Sequence, residues 1–305
     1  MKEESIKFAV NIRRVFLICT LPLVLSISAC SPSGAKVSGA QNNVVMIAPP
    51  EIFPAYAGEV QGVVLSENPS ARILTVSLPF SRSMVERAFE LDQLVRTYPP
   101  GTVFLVFGNG VPGREGLAVV LKTKAGRIFV GPDSGVFTRI LEREEIESFC
   151  RIVSAPLLLK DGLSSLFPER DVYAPVAAEL LKGVAVETFG PLTSNPVRVP
   201  IAKATGTGSA LSGEVLFVNW AGRVVTSFRS ESFQKVRAGD LILLNAGGKP
   251  FSVPYLVSEE EAPPGRPFGV CDADGFFEIA VLGANAAQVL KLAPGQKITV
   301  RYGGK

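Results

Sequence analysis

The sequence predicts two domains: an α/β N-terminal domain with a mostly parallel sheet and flanking helices, and a smaller, mainly antiparallel β-barrel-like C-terminal domain. Three observations predict this fold class. The chain has 305 residues, of which 47% are hydrophobic and 19% charged, so it can bury two cores. Continuous apolar runs in the first half are typical of strands covered on both faces. Short strands between Gly-rich turns in the second half indicate a small β domain.

The first 43 residues are predicted to lie outside the fold. Basic side chains mark residues 1–14, and the almost wholly apolar run at 15–27, about 13 residues long, is too short for a membrane-spanning helix, which needs about 20. The sequence Ile-Ser-Ala-Cys that ends at Cys30 resembles a bacterial lipobox, so residues 1–29 are interpreted as a lipoprotein signal peptide. Residues 30–43 would then be a flexible tether behind a lipidated Cys30.

This interpretation predicts an exported protein that is lipid-anchored at the bacterial cell envelope. Ser31, directly after the cysteine, favours the outer membrane in a Gram-negative cell. The alternative is an ordinary secretory signal that is cleaved near Ala29, with Cys30 incidental.

Residues 44–190 are predicted to form the α/β domain. One helix begins at the capping box of Ser83 and Glu86 and ends before Pro99, and a second helix is predicted over 174–181. The predicted strands are residues 44–48, 72–77, 102–107, 117–121, 127–131 and 146–153. Strands that alternate with helices are typical of α/β proteins.

The second domain follows a stretch rich in Pro, Gly, Ser and Thr at 191–212, which is predicted to be a linker or a long connecting loop. Residues 213–305 form the β domain, with one brief helix at 284–292. The predicted strands are residues 214–220, 223–228, 240–244, 276–281 and 297–302.

Composition excludes several classes of function. The chain has no histidine, which removes Ser-His-Asp and Cys-His nucleophiles, histidine bases and histidine-containing metal sites. The formal charge is +3, and most of it lies in the signal segment, so nucleic acid is not expected as a partner. No cysteines have metal-ligand spacing, and neither a metal nor a cofactor is predicted. Cys150 and Cys271 are expected to be separate thiols, although export would permit a disulfide between them.

Two local motifs are rejected on their context. Gly108, Gly110 and Gly113 fit the spacing of a dinucleotide-binding loop, and Asp133 follows at the distance of a ribose-binding acid. That motif requires a helix after the third glycine, whereas a strand-like run follows here. The sequence Asp-Ala-Asp-Gly at 272–275 is interpreted as a tight turn, because its glycine comes too early for a calcium loop.

Six segments, taken together and in order, resemble the S-adenosyl-methionine hydroxide adenosyltransferase family, whose relatives include the S-adenosyl-methionine-dependent chlorinase and fluorinase. The segments are Tyr56-Ala-Gly58-Glu-Val-Gln-Gly62-Val, Pro100-Gly-Thr-Val103, Phe129-Val-Gly-Pro132-Asp133-Ser134-Gly135, Arg170-Asp171-Val-Tyr-Ala-Pro175-Val-Ala-Ala178, Gly213-Glu-Val-Leu-Phe-Val-Asn219 and Phe277-Glu278-Ile-Ala280. The resemblance implies the same two-part fold. It also implies a homotrimer whose ligand lies between the N-terminal domain of one subunit and the C-terminal domain of its neighbour.

The family reaction that this resemblance implies is an attack of water on the ribose C5′ of S-adenosyl-methionine, which releases methionine and adenosine. The family holds that water with an Asp, an Arg and a His. At these three positions the chain has Gly108, Glu115, with Arg114 one place short, and Pro168. No catalytic residue is therefore predicted, and a reversed charge at Glu115 would oppose a negative nucleophile.

Ligand-holding positions differ from the family as well. The stretch that contains the ribose-binding Asp reads Ala-Pro-Pro-Glu at 48–51, and the motif Asp-x-Phe-Gly-Asn begins with Asn219 and ends with Arg223. The candidate ligand-binding residues are Asp133, Ser134, Asn219, Arg223, Ser227, Phe277 and Ala280. The expected ligand is adenosine-like, and Arg223 would favour an anionic group. A turn at Asp133 and a buried salt bridge between Arg170 and Asp171 are the structural alternatives.

Three functions remain open at this point. The favoured one is a non-catalytic lipoprotein with a binding or structural role. An active hydrolase of S-adenosyl-methionine is the second, although that compound is made in the cytosol and an exported protein would rarely meet it. The third is an altered enzyme that uses Asp133, Asp171 or Glu115 as its base.

Overall fold

A six-stranded sheet forms the centre of the N-terminal domain in the computed structural model, which describes residues 42–52, 54–79, 82–108, 117–153 and 167–302. The strands are β1 (Asn43–Ala48), β2 (Arg72–Ser77), β3 (Val103–Val106), β4 (Ala118–Thr123), β5 (Ile128–Pro132) and β6 (Ile146–Arg151). Their order is β2-β1-β3-β5-β4-β6. Neighbours are parallel except at β4, which is antiparallel to β5 and β6. The predicted, mostly parallel sheet is confirmed.

Helices cover both faces of this sheet. They are α1 (Pro54–Glu67), α2 (Met84–Val95), α3 (Thr138–Arg143) and α4 (Ala174–Leu181). A π-helical turn, Glu169–Tyr173, leads directly into α4, and a 3₁₀ turn, Val186–Phe189, follows it. Alternate residues of β1 point to opposite faces: Met46 packs with α1 and α4, and Ile47 packs with α2 and α3. The predicted capping box is present, since the Ser83 side chain accepts from the Glu86 N–H at 3.2 Å.

The C-terminal domain is a nearly closed antiparallel barrel. Its strands are β7 (Thr205–Thr207), β8 (Ala210–Val218), β9 (Val224–Arg229), β10 (Leu241–Ala246), β11 (Lys249–Pro254), β12 (Pro267–Cys271), β13 (Phe276–Val281) and β14 (Lys297–Arg301), and its helix is α5 (Ala286–Leu290). Two 3₁₀ turns, Ser230–Phe233 and Glu259–Glu261, join strands. The order is β11-β10-β14-β8-β9-β13-β12, with β7 on β8. The Leu256 N–H donates to the Gly269 carbonyl at 2.8 Å, which brings the two ends of the sheet together.

Helix α2 joins the two domains. Its Phe89 ring lies 4.9 Å from the Phe217 ring and 5.0 Å from the Phe276 ring, so the helix contributes to an apolar cluster of the C-terminal domain. At its end, Arg96 bonds Asp274 at 2.7 Å, and Arg143 of α3 bonds the same carboxylate at 2.7 Å. Aromatic packing and ion pairs therefore hold the domains of one chain together.

The connection between the domains differs from the expected linker. Strand β7 and the first residues of β8 fall within 191–212, because the Gly- and Ser-containing stretch there forms a hairpin. The preceding residues run along the N-terminal domain, where the Thr193 N–H donates to the Phe149 carbonyl at 2.8 Å. Cys150 and Cys271 are free thiols. No helix among the described residues is long and apolar enough to span a membrane. The predicted signal peptide, Cys30 and Glu115 lie outside the described residues.

Candidate functional site

The carboxyl edge of the N-terminal sheet contains two of the three positions at which the family resemblance places catalytic residues. Gly108 follows β3 directly, and Pro168 immediately precedes the π-helical turn. Neither residue has a side chain that can donate or accept a hydrogen bond. The Gly108 N–H instead donates to Oε1 of Glu169 at 3.0 Å. The carboxylate of Glu169, the residue after Pro168, therefore lies beside Gly108.

Glu169 is enclosed at this edge. The residue is 5% exposed, and its Oε2 accepts from the Tyr56 hydroxyl of α1 at 2.8 Å. Burial, together with the negative charge of Glu169, raises the pKa of Tyr56, so the phenol remains a donor at neutral pH. We call Tyr56, Gly108 and Glu169 the Glu169 cluster. In it, both carboxylate oxygens are held by groups of the same chain.

Aromatic rings surround this cluster. The Tyr56 ring lies 5.5 Å from the Phe167 ring and 6.2 Å from the Phe107 ring. Next to it, the Arg170 guanidinium bonds Asp171 at 2.6 Å and Glu59 at 2.9 Å, and Asp171 is buried. The expected salt bridge between Arg170 and Asp171 is present. Asp171 is thus held by a cation, a poor arrangement for a general base.

Asp133 and Ser134 lie at the end of β5. The Asp133 carboxylate accepts the Val197 N–H at 2.9 Å, and burial raises its pKa. The Asp133 carboxylate therefore holds the connection between the two domains against the end of β5. Both side chains are half-buried. Among the carboxylates described at this edge, Glu169 is the one that accepts a hydrogen bond from Gly108.

Asn219 and Arg223 lie at the turn between β8 and β9. The side-chain Oδ1 of Asn219 accepts the N–H groups of Ala221 and Arg223 at 3.0 and 3.1 Å, which closes the turn. The Arg223 guanidinium is paired with Glu259 and lies 3.4 Å from Glu278. Two carboxylates thus face one arginine, so this cluster carries excess negative charge when both are ionised. The surroundings of Arg223 do not favour the expected anionic group.

Glu278 is a buried acid beside this turn. Burial, followed by the charge of Asp272, raises its pKa to about 7, although Arg223 opposes that shift. The sequence did not predict a role for Glu278. A cavity of about 430 Å³ opens near the same turn, and Arg223, Glu259, Phe268, Ala280 and Asn285 are among its lining residues.

Phe277 and Ala280, both candidate ligand-binding residues, lie on opposite faces of β13. The Phe277 ring is fully buried in the barrel core and stacks on the Phe233 ring at 4.6 Å. Residues three apart on a strand point to opposite faces, so Ala280 faces the cavity instead. A Cβ at Gly269 would lie 2.4 Å from the Phe277 ring, so glycine is required there. Ser227 is also interior: its buried hydroxyl accepts the Glu214 N–H at 2.9 Å.

The described residues contain no group of acids and cysteines with the geometry of a metal site. Their carboxylates are engaged with arginines, backbone N–H groups or the Tyr56 hydroxyl at the positions discussed above. The arrangement is that of a two-domain protein with a buried, hydrogen-bonded acid in its α/β domain and a charged cavity on its barrel.

Comparison with known proteins identifies the family to which this fold belongs. Residues 53–190 match the model of the SAM hydroxide adenosyltransferase N-terminal domain, and residues 213–299 match that of its C-terminal domain. The chain is a member of the SAM hydroxide adenosyltransferase family. The two-domain architecture and the family resemblance inferred from sequence are both confirmed.

Relatives extend this comparison over most of the chain. A protein of Salinispora arenicola named (R)-S-adenosyl-L-methionine hydrolase is 27% identical over 251 residues, which are 81% of this chain and 93% of that protein. A Thermus thermophilus protein of the same name is 26% identical, over 80% and 93% of the two chains. A crystal structure of an uncharacterized conserved protein from Thermotoga maritima has 30% identity and a TM-score of 0.73, covering 85% of this chain and 99% of that one.

Tyr56 and Glu169 are the site residues that the sequence reasoning missed. Tyr56 lies in the first of the six family-like segments but was assigned no role there. Glu169 lies between Pro168 and Arg170, which were both assigned one. A search for a carboxylate within one residue of each lost catalytic position would have found Glu169. The pairing with Gly108 joins residues 61 positions apart and becomes visible only in the fold.

Proposed function

We propose that this chain is a non-catalytic, ligand-binding or structural member of its family, exported and anchored by lipid at Cys30. The observation that carries the proposal is the Glu169 cluster. The position of the family Asp is Gly108, whose N–H is bonded by Glu169, and the second carboxylate oxygen is bonded by Tyr56. A water that attacks a substrate needs an accessible acceptor to orient it, whereas Glu169 is 5% exposed and each of its oxygens accepts a hydrogen bond from the chain itself.

The Pro168 side chain supports the same conclusion. The family His would have supplied a hydrogen-bonding ring there, whereas proline supplies only aliphatic carbon. Even one general base contributes about 10²–10⁴-fold to a rate, so loss of the base and its partner removes most of the expected acceleration. The names of the curated relatives favour the alternative, an active (R)-S-adenosyl-L-methionine hydrolase with altered residues in which Glu169 acts as the base.

One assay separates the two functions. The full-length protein, purified in detergent, is incubated with S-adenosyl-methionine, and adenosine and methionine are measured against a buffer blank. We expect no release above the blank. Turnover that disappears in Glu169→Gln but persists in Glu145→Gln would overturn the non-catalytic proposal and identify Glu169 as the base. Glu145 is a matched control because its side chain is 76% exposed.

The lipid anchor rests on the segment from the basic N-terminus to Cys30. We expect the mature protein to begin at an acylated Cys30 and to fractionate with membranes, and we expect Cys30→Ala to leave an unacylated precursor. Mass spectrometry of the mature N-terminus tests this. An unmodified N-terminus at another residue would contradict the anchor.

We also propose a homotrimer with weak affinity for an adenosine-like ligand, on the basis of the family resemblance. Sedimentation velocity at micromolar concentration tests the assembly, and a stable monomer would contradict it. Isothermal titration with adenosine tests the ligand, and the absence of heat and of thermal stabilisation would remove it while leaving the assembly unaffected.

A further inference from the structure

A second region of the barrel has a cavity, at the end where β8 begins. Its volume is about 480 Å³, and its walls come from the β7–β8 hairpin and from residues 231–235, which follow β9. Tyr302 is part of the lining, and we call this space the Tyr302 cavity. At about 3.3 Å per residue, the length of β8 separates it by about 25 Å from the turn that contains Asn219 and Arg223. None of the candidate ligand-binding residues predicted from the sequence lines it.

Tyr302 holds the two walls of the cavity together. Its N–H donates to the Ser209 carbonyl at 3.2 Å, and its hydroxyl donates to the Gly208 carbonyl at 2.8 Å. The same hydroxyl contacts the Ser232 carbonyl on the opposite wall. The Tyr302 ring lies 5.5 Å from the ring of Phe233, which is buried in the barrel core. The cavity is therefore built on a packed support, as preformed small-molecule sites are.

The β7–β8 hairpin has a backbone that fixes the shape of its wall. Gly206 has φ +108°, and a Cβ there would lie 2.4 Å from the Ala210 carbonyl oxygen, so a side chain is excluded at this position. Gly208, at the tip, has φ +61° and no atom near the place of a Cβ among the described residues. The hairpin is thus narrow, and its tip leaves the cavity open to solvent.

Hydrogen-bonding side chains dominate the lining of the cavity. Thr207, Ser209, Ser232, Gln234 and Lys235 have side chains without a hydrogen-bond or ion-pair partner in the part of the chain that the structure describes. Hydroxyl and amide groups each donate and accept. The lining therefore offers donors and acceptors side by side, unlike the paired arginines and carboxylates at the junction of the domains.

The charge of the lining is balanced. Glu231 and Lys235 contribute one charge of each sign, and Arg229 lies 3.9 Å from Glu231. Burial raises the pKa of Tyr302, so its phenol is neutral at physiological pH. This balance does not favour a strongly charged ligand. A neutral ligand with many polar groups fits the lining better.

We propose that the Tyr302 cavity binds a carbohydrate, a neutral oligosaccharide segment. The hydroxyl groups of a sugar ring both donate and accept, which matches the hydroxyl and amide groups of Thr207, Ser209 and Gln234. The aliphatic face of the ring can pack on the aromatic body of Tyr302. A volume of about 480 Å³ lies within the range of small-molecule sites. The proposal rests neither on the lipid anchor nor on the Glu169 cluster, since the cavity includes no residue of either.

Binding is tested by isothermal titration calorimetry of the full-length protein in lauryldimethylamine oxide, a detergent without a sugar headgroup. The probes are maltotriose, cellotriose and triacetylchitotriose. We expect saturable binding of at least one of them, with no loss of affinity when adenosine is added. The absence of saturable heat with all three up to about 10 mM would overturn the proposal. Competition by adenosine would place the sugar in the family site and would also overturn it.

Two matched variants locate the sugar. Gln234→Ala is expected to weaken the affinity by about three-fold or more, because one or two hydrogen bonds are lost. Gln288→Ala, at an exposed position of α5 outside the lining, is expected to leave it unchanged. Both substitutions are at exposed side chains, so the thermal stability of the protein should be that of the parent. Unchanged affinity in Gln234→Ala, or equal weakening in both variants, would refute the site.

Ionic strength tests the class of ligand. Raising sodium chloride from about 0.05 to about 0.5 M is expected to change the affinity for the sugar by less than about two-fold, since a neutral ligand has no charge to screen. Glycine and inorganic phosphate, as zwitterionic and anionic probes, are expected to show no saturable binding. Saturable binding of either one that Gln234→Ala weakens would assign the cavity to a charged ligand and overturn the proposal.

Discussion

Two regions of the molecule contain a buried acid: the Glu169 cluster of the N-terminal domain, and the turn between β8 and β9, beside which Glu278 lies. In the first, both oxygens of Glu169 accept short hydrogen bonds from groups fixed by α1 and the end of β3. In the second, Glu278 has contacts of 3.4 and 3.5 Å to Arg223 and Asn219, and burial raises its pKa. A satisfied acid stabilises the fold, whereas an under-compensated acid costs stability and remains available to a ligand. Glu169 is therefore satisfied within the chain, whereas Glu278 is only partly compensated.

The largest expected effect on stability is in the barrel core, next to Glu278. Phe277 precedes Glu278 on β13, and its side chain is fully buried. Phe277→Ala is expected to lower the free energy of unfolding by about 3–5 kcal/mol, since it removes a stacked ring and leaves a cavity. Urea denaturation measures the change, and Val289→Ala, at an exposed position, is expected to cost no more than about 0.5 kcal/mol. A small effect of Phe277→Ala would mean that the ring is a ligand wall and not core.

A smaller loss of stability is expected in the Glu169 cluster. Glu169→Gln keeps the shape of the side chain but removes its charge, so both donors lose a charged acceptor, and one of them faces an amide NH₂ that cannot accept. We expect a loss of about 1–2 kcal/mol in the free energy of unfolding. The pKa of Tyr56 should also fall toward its usual value, because the carboxylate contributes to raising it, while burial persists.

Absorbance titration of tyrosinate in Glu169→Gln and in Glu145→Gln measures the shift of Tyr56. An unchanged titration in Glu169→Gln, together with unchanged stability, would show that the carboxylate does not hold this edge closed. The contrast drawn between Glu169 and Glu278 would then fail.

The smallest effect, and of opposite sign, is expected at Glu278. Its pKa is raised to about 7, so between roughly pH 4.5 and 7 the unfolded chain has lost the proton that the folded chain keeps. The folded state binds more protons there, so stability falls as pH rises through that window. Glu278→Gln should flatten this slope and leave the protein as stable as the parent, or more stable, at pH 8.

Urea denaturation at pH 5 and pH 8 measures that difference, with Glu260→Gln in the exposed acidic turn as the control. A strong destabilisation by Glu278→Gln at both pH values would show that Glu278 is a satisfied acid like Glu169.

Local sequence signals predicted the fold where they were strong. The Ser83 capping box placed the start of α2, and the apolar runs placed β1 and β3. Helix α1 was not predicted because it lacks a clear apolar stripe and contains Gly58 and Gly62. The reversed direction of β4 follows from hairpin-like pairing with β5, which apolar content does not encode.

The site was less predictable because its contacts join distant residues. Position-by-position comparison identified the losses at Gly108 and Pro168, but hydrogen bonds to Glu169 and Tyr56 depend on how α1 and the π-helical turn meet β3. The opposite orientation of Phe277 and Ala280 was predictable from the period of a strand alone. Strands β11 and β12 were missed because each has a proline at or near its start, which is tolerated at a strand end.

Helix α2 has a consequence for how this architecture could be divided during evolution. The helix belongs to the first domain in sequence, yet its Phe89 completes an aromatic cluster with Phe217 and Phe276 of the second. A gene fragment that encoded only the barrel would leave those rings and the carboxylate of Asp274 without their partners. The two halves should therefore unfold in a single calorimetric transition and be inherited together, since neither can be exchanged for an unrelated module without rebuilding that seam.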